Sequence, residues 1–542
     1  MTELWADMPL GIQLFVLALL GACGGALANC ILFACGNWEH AINPWAPTEK
    51  REPPYRVWDR VPIGGWWRLR RNRVRGRTSC WLVPLLLESA GAILLPAFYW
   101  FETRGEGLFL FLIRHWLAVP IELRYAALAV VGAVAGGLAN YLIYTQAHFP
   151  RPMDPWAAPH PDAPDRSWLD RVPIIGWWGL RRESKIHGGG FWVRPLLIEL
   201  TAVICLPLFY WYQTQVGGPL PPALQIPKPI AAYEPSATQL FLGHSVLMVL
   251  MVAATFIDFD EKSIPDVITI PGTLIALMLG TISLASFLPT AVPVCGNPTT
   301  ANATTFNSPW FANPPAAFLW DSRQGLLTGW VIWSVWCFAL ADRRWSGVML
   351  RRRGLARTVR FFFDALFHHW TWKLLAALWL AGVVSLATVW NVGGNYWLGL
   401  FSALMGLGIG GGIVWAIRLV ASWAMKMEAM GFGDVTLMAM IGAFLGWQGA
   451  VSTFFLAPFA AIAIVIIQFI ITRSHSVPFG PYLCAGSVLS IVFWDLVYNQ
   501  TLACNLLTLG GVLLWLCIAM LALLGVILFT SRMIKTFLYR AL

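Results

Sequence analysis

Charge is what this sequence has least of. Only 12% of its 542 residues are Asp, Glu, Lys or Arg, against about a quarter in an ordinary soluble domain. A soluble chain of this length needs a polar surface, and there are too few charges to make one. The ten cysteines include no CxxC pair, so spacing reveals no zinc site. No Lys or Arg precedes the first apolar run, Leu10 to Ala34. That run is too long for a signal-peptide core and is expected to remain as a first span. No glycine-rich nucleotide loop sits in a strand-to-helix context. The composition also excludes disorder, collagen, coiled coil and a secreted disulfide scaffold.

What is present is apolar: 58% of residues are hydrophobic, and there are 31 Trp. Runs of roughly 20 apolar residues mark membrane helices. They lie near 10–36, 85–101, 124–146, 195–214, 239–258, 266–288, 325–341, 373–391, 396–420, 434–447, 450–472, 480–498 and 505–530. The net charge of +10 is better assigned to orienting loops than to nucleic acid. Lys and Arg crowd 50–77, 151–194, 343–360 and the C-terminal end, while 215–238 has only Lys228 and 289–323 only Arg323. The basic set goes to the cytoplasm. The expected fold is therefore an all-α polytopic integral membrane protein of about 13 transmembrane helices, N-terminus outside and C-terminus inside. Most cysteines fall in apolar stretches. Cys295 and Cys504 fall outside them, which leaves one disulfide open.

The first part of the chain is duplicated. Asp59-Arg60-Val61-Pro62-Ile63 recurs as Asp170-Arg171-Val172-Pro173-Ile174, an offset of 111 residues. The offset holds without a gap for Asn29/Asn140, Trp66-Trp67/Trp177-Trp178, Pro84/Pro195, Glu88/Glu199 and Phe98-Tyr99-Trp100/Phe209-Tyr210-Trp211. Each unit is one span, one basic loop and one return span, in a parallel repeat rather than an inverted one. The expected organisation is a duplicated domain over 1–216 with repeats at about 10–103 and 121–214. A Pro-rich outer linker follows at 217–235, then a second domain over 236–542 without the repeat. The tryptophan pairs are expected to anchor the loops at the interface. The glycine-dense stretch 406–412 is expected to serve close helix packing.

Acidic side chains beside membrane spans are functional candidates. The fifth apolar run ends at Ile257-Asp258-Phe259-Asp260-Glu261-Lys262-Ser263-Ile264-Pro265-Asp266, and Asp258 is its first carboxylate. Met430-Gly431-Phe432-Gly433-Asp434 opens another run. Two carboxylates at one depth suggest an aspartic-peptidase pair, in which one keeps its proton and the other activates water. Such a pair titrates as a unit. Gly431 and Gly433 are expected to permit positive φ and close backbone approach. Asp260, Glu261 and Asp266 read more as loop charges than as chemistry.

Together these motifs resemble the type IV prepilin peptidases. Ile257 to Asp260 with Ile264-Pro265-Asp266 looks like the family's first aspartate motif, Gly431 to Asp434 like its GxGD motif, and Pro478-Phe479-Gly480-Pro481-Tyr482 like its late signature. The resemblance implies that Asp258 and Asp434 are the catalytic pair, with Gly431, Gly433, Asp260, Pro265, Asp266, Pro478, Gly480 and Pro481 as supporting motif residues. It implies a membrane-embedded aspartic endopeptidase of the bacterial inner membrane that cuts the basic leader from prepilin or pseudopilin-like partners at the cytoplasmic face. The duplicated domain loosely resembles the family's other domain, through Val61-Pro62, Pro84-Leu85 and Glu88, then Val172-Pro173, Arg194-Pro195 and Glu199. In bifunctional members that domain is linked to S-adenosylmethionine-dependent N-methylation. The peptidase itself implies no cofactor.

The departures are informative. Family members often carry two zinc-ligating CxxC pairs in the first cytoplasmic loop, but Cys80 is the single Cys in the two loops here. This argues against zinc or any other metal and leaves methylation open. The family's lysine two residues after the GxGD aspartate is Thr436. Residues 289–323 and 342–395 look inserted. The alternative from another class is an inactive or transport-type membrane scaffold that retains the motifs.

Overall fold

The computed structural model describes residues 8–35, 56–69, 82–104, 107–157, 159–220, 233–291, 304–306, 321–341, 371–428, 430–472, 478–502 and 512–541. Cys295, Cys504 and most of the residues of 289–323 and 342–395 lie outside them. Among the described residues the fold is helical apart from one antiparallel ladder pairing Pro289–Ala291 with Thr304–Phe306. Among the described residues, eight helices are long and apolar enough to cross a membrane, nine if the bent pair Gly480–Val492 and Asp495–Leu502 is one span. The chain is thus an all-α, multi-pass membrane protein. It divides into two compact units, Met1–Val119 with Leu366–Leu378, and Pro120–Ala365 with Trp379–Leu542.

The first unit is built on α1 (Leu10–Cys35) and α2 (Leu82–Thr103), followed by α3 (Leu108–Ala118). Small residues let α1 and α2 approach: a Cβ on Gly21 would lie 2.0 Å from the Gly91 carbonyl oxygen, and one on Gly25 2.6 Å from the Cα of Glu88. Glu88 is buried at that contact. Its carboxylate accepts Asn29 Nδ2 at 3.2 Å, Trp66 Nε1 at 2.8 Å and the Ile63 backbone N–H at 2.6 Å.

The second unit opens with the same arrangement. Glu199 on α5 (Val193–Trp211) accepts Asn140 Nδ2, on α4 (Ile121–Thr145), at 3.0 Å. It also accepts Trp177 Nε1 at 2.8 Å and the Ile174 N–H. Ile63 and Ile174 hold positive φ, 62° and 67°, which is strained for a β-branched residue. In both copies the strained residue donates its N–H to the buried glutamate. The duplication therefore repeats a hydrogen-bond lattice and not only a pattern of spans.

The lattice corrects the expectation for the tryptophan pairs. Trp66 and Trp177 are buried, while Trp178 is 69% exposed beneath the Arg181 guanidinium. A carboxylate removed from water needs donors, and the indole N–H supplies one.

The loop between α4 and α5 is closed by one side chain. Arg166 gives Nε and Nη2 to Glu183 at 2.9 and 2.8 Å, and reaches the carbonyls of Asp154, Ala157 and Pro152 at 2.7, 3.2 and 2.9 Å. Burial works against the charge of Asp170, but the Ser167 N–H, the Arg182 guanidinium and the Ser167 hydroxyl outweigh it and hold that carboxyl below its usual range. Asp154 is the opposite case. Burial raises its carboxyl to about 7, and its Oδ2 has no hydrogen-bond partner. A carboxyl raised on folding stabilises the fold fully at low pH and loses that contribution as pH climbs through the folded value. Between pH 4 and pH 8 the loss is expected to be on the order of 2–4 kcal/mol. Thermal melting in detergent across that range should show it, and Asp154→Asn should flatten the curve.

The rest of the second unit comprises α6 (Glu234–Glu261), α7 (Asp266–Ile282), α8 (Arg323–Ala341), α9 (Thr371–Val392, which the division runs through), α10 (Gly394–Met425), α11 (Phe432–Thr472), α12 (Gly480–Val492) and α13 (Val512–Ala541). α7 stops short of the end of the apolar run 266–288. Ser283 bonds to Gln239, and the Ser286 hydroxyl caps the Ser283 carbonyl at 2.7 Å, turning the chain. α11 is broken at Gly446, which takes φ 76° and ψ 174°, open only to glycine at low cost. A Cβ on Gly442 would lie 3.3 Å from the Cβ of Ala450, a pair roughly 12 Å apart along a straight helix. The chain therefore doubles back, and the runs 434–447 and 450–472 are two arms. The glycine-dense stretch of α10 packs as expected: a Cβ on Gly406 would meet the Gly442 carbonyl oxygen at 1.9 Å.

Candidate active site

α6 delivers Asp258 in its last turn. The helix ends where Lys262 adopts φ 55°, and its N–H closes on the Asp258 carbonyl at 2.9 Å. Pro265 then sets the start of α7, a position that suits its fixed φ and missing donor. Asp434 lies in the first turn of α11, where the free N–H groups of the helix favour an anion. Both carboxylates are buried, and they interact electrostatically.

The third motif completes the cluster. The Gly480 N–H donates to Asp258 Oδ2 at 3.1 Å, and Pro481 follows at the start of α12. A Cβ on Gly480 would sit 2.5 Å from Asp258 Oδ2 and 2.9 Å from Ile264 Cδ1, and one on Gly433 would sit 3.0 Å from Ile264 Cβ. Ile264 is thus where the three sequence motifs meet. Gly480→Ala should displace the Asp258 carboxylate and lower any activity of the pair by about 10- to 100-fold, while helix content by circular dichroism stays unchanged. An alanine variant of full activity would count against that contact.

Several expectations need correction. Neither Gly431 nor Gly433 takes a positive φ. Gly433 is required for the close approach to Ile264, and a Cβ on Gly431 would lie 3.8 Å from Asp434 Oδ2. Asp260 and Glu261, both open to solvent in part, lie in the last turn of α6 rather than in a loop, and each has a partner. Asp260 pairs with Arg194 at 3.0 Å and Arg151 at 3.4 Å. Glu261 accepts the N–H groups of His148 and Phe149 at 2.6 and 2.9 Å. Asp266 is buried in the first turn of α7. Pro478 precedes α12 and is half-buried. Thr436, at the family's lysine position, gives its hydroxyl to the Gly433 carbonyl at 3.0 Å.

One residue escaped the sequence reading. Arg418 lies inside the apolar run of α10, and its side chain is 3% exposed. Its Nε donates to the Met430 carbonyl at 3.0 Å, its guanidinium lies 5.5 Å from the Phe432 ring centroid, and it interacts electrostatically with Asp434. It braces the turn that carries Asp434 and places a fixed positive charge near the pair. An ionisable residue at membrane depth was the available signal.

The site can do acid–base work without a metal. Two buried carboxylates that interact can hold one proton between them, an arrangement in which one polarises a carbonyl while the other activates water. The loop between α4 and α5 does not fit the family's zinc: residues 151–194 contain no Cys, and the Arg166 knot closes the loop instead. Among the described residues no three His, Cys, Asp or Glu side chains are grouped to hold a metal ion.

Residues 369–466 match the family described as the type IV leader peptidase family. A prepilin leader peptidase/N-methyltransferase of Pseudomonas putida is 30% identical over 133 residues, covering 24% of this chain and 43% of that protein. One of Aeromonas salmonicida is 31% identical over 145 residues, 23% of this chain and 48% of the other. The chain spans less than half the length of these curated relatives. No solved structure matches it. The matches bear out the resemblance to this family, and the matched residues 369–466 include Gly431 to Asp434.

Proposed function

We propose, from this kinship with the type IV prepilin peptidases, that the protein is a membrane aspartic endopeptidase. It removes the basic leader from prepilin or pseudopilin-like proteins, with Asp258 and Asp434 as the catalytic pair. The observation that carries this reading is the convergence of three separate motifs on one buried carboxylate pair. One aspartate, protonated, polarises the scissile carbonyl, and the other takes a proton from the attacking water. The Gly480 N–H fixes the Asp258 carboxylate, and Arg418 offsets the charge left on the pair. A pilin-like substrate supplies an apolar helix to lie among the spans.

The domain reading goes with it: a duplicated region over 1–216, a linker over 217–235 and the peptidase over 236–542. The loop charges support about 13 spans with the N-terminus outside, the C-terminus inside and both aspartates at the cytoplasmic face of a bacterial inner membrane. N-methylation of the new N-terminus, with S-adenosylmethionine as donor, is the second reading, supported by the relatives' names. Co-expression with leader-bearing pilin-like proteins, followed by N-terminal mass measurement, tests both. Loss of the leader mass is expected, and a further gain of one methyl would establish the second activity. A substrate that keeps its leader in every pairing would refute the peptidase.

A further inference from the structure

The two copies of the repeat share their internal lattice but differ at their edges. In the second copy, four guanidinium or amide side chains reach α6. Arg124 bonds Glu234 at 2.8 Å, and also Tyr210, while Gln213 meets His244 at 2.9 Å. At the other end of α6, Arg194 Nη1 spans both oxygens of Asp260 at 3.0 Å each, and its Nη2 reaches the Phe256 carbonyl at 3.4 Å. Its guanidinium lies 4.5 Å from the Phe256 ring centroid. Arg151 pairs with the same Asp260. Asp258 sits midway between Phe256 and Asp260, so this clamp grips the helix on either side of it. At an offset of 111 the first copy has Gln13, His40 and Val83 where the second has Arg124, Arg151 and Arg194. Gln13 keeps the internal bond, accepting the Tyr99 hydroxyl at 2.8 Å, but no guanidinium occupies any of the three places.

We propose that Arg194 is a positioning residue for Asp258, acting through Asp260 and the Phe256 carbonyl, and that the second copy of the repeat is the one built to hold the peptidase helix in register. This rests on the peptidase reading above. A guanidinium that reaches both the Asp260 carboxylate and the Phe256 carbonyl fixes the azimuth of the last turn of α6. A catalytic carboxylate needs to be held within a fraction of an ångström of its productive position. Glu261, which accepts the N–H groups of His148 and Phe149, closes the same end from the loop after α4.

The test uses the full chain in lipid vesicles with a synthetic prepilin carrying a basic leader and an apolar helix. Arg194→Ala should lower kcat by about 10- to 100-fold with KM nearly unchanged. Arg194→Lys should recover only part of the loss, because an ammonium reaches the carboxylate but cannot span it and the carbonyl together. Hydrogen exchange at residues 254–262, read on the same variants without substrate, should quicken in Arg194→Ala and less so in Arg194→Lys. Unaltered kcat in Arg194→Ala, or unaltered exchange at that helix end, overturns the clamp. Failure of the unaltered protein to cut the substrate overturns the peptidase reading instead, while the exchange measurement still decides whether Arg194 holds the helix.

Discussion

Asparagine at Asp434 is expected to lower leader cleavage by at least about a thousandfold, and asparagine at Asp258 by as much. Asparagine has nearly the shape of aspartate, so the effect separates charge from packing. At Asp258 the amide oxygen can still accept the Gly480 N–H, which keeps α12 in place. At Asp434 the Gly433–Ile264 contact does not involve the carboxylate at all. What each variant loses is the ability to pass a proton. Because the two groups act as one unit, the double variant should be no slower than either single one. The measurement is the initial rate on one leader-bearing substrate, with helix content recorded for each protein. A single variant that retains a tenth of the rate would remove that aspartate from the pair.

The second large effect concerns stability. Glu199→Leu leaves the Asn140 amide, the Trp177 indole and the Ile174 N–H without their acceptor in a buried site. Each abandoned donor costs on the order of 1–3 kcal/mol, so about 3–5 kcal/mol is expected in total, with partial relaxation. Glu88→Leu should cost a similar amount, because Asn29, Trp66 and Ile63 stand in the same relation to Glu88. Glu→Gln at either position should cost less, since one acceptor oxygen remains. Thermal denaturation in detergent reads all four variants. Leucine variants that melt with the unaltered protein would mean that the lattice does not hold the repeat together.

The helices under the apolar runs and the meeting of Asp258 with Asp434 were legible in the sequence because both depend on local features. Apolar runs locate helices whatever their packing, and Asp258, Asp434 and Gly480 each sit in a short motif with its own spacing. The gap between the runs 434–447 and 450–472 is also local, and Gly446 turns it into a hairpin. What stayed hidden depends on tertiary closure. Glu88 and Glu199 were visible as repeated letters, but their role appears only when Trp66 and Trp177 fold in from the loops. The interface preference of tryptophan is a tendency of position, and a buried carboxylate overrides it. Arg166 reads as one loop cation among many until its guanidinium is seen closing on Glu183 and three carbonyls. Asp260 reads as a loop charge until Arg194 arrives from 66 residues away.

The buried pair is expected to cut a peptide bond after a basic leader. The measurement that decides this is the intact mass of a purified leader-bearing pilin-like protein incubated in vesicles with the unaltered chain, beside the same incubation with Asp434→Asn. A single new mass, lighter by the basic leader, is expected with the unaltered chain and not with the variant. Equal cleavage by both, or a substrate left whole by the unaltered chain, would contradict it.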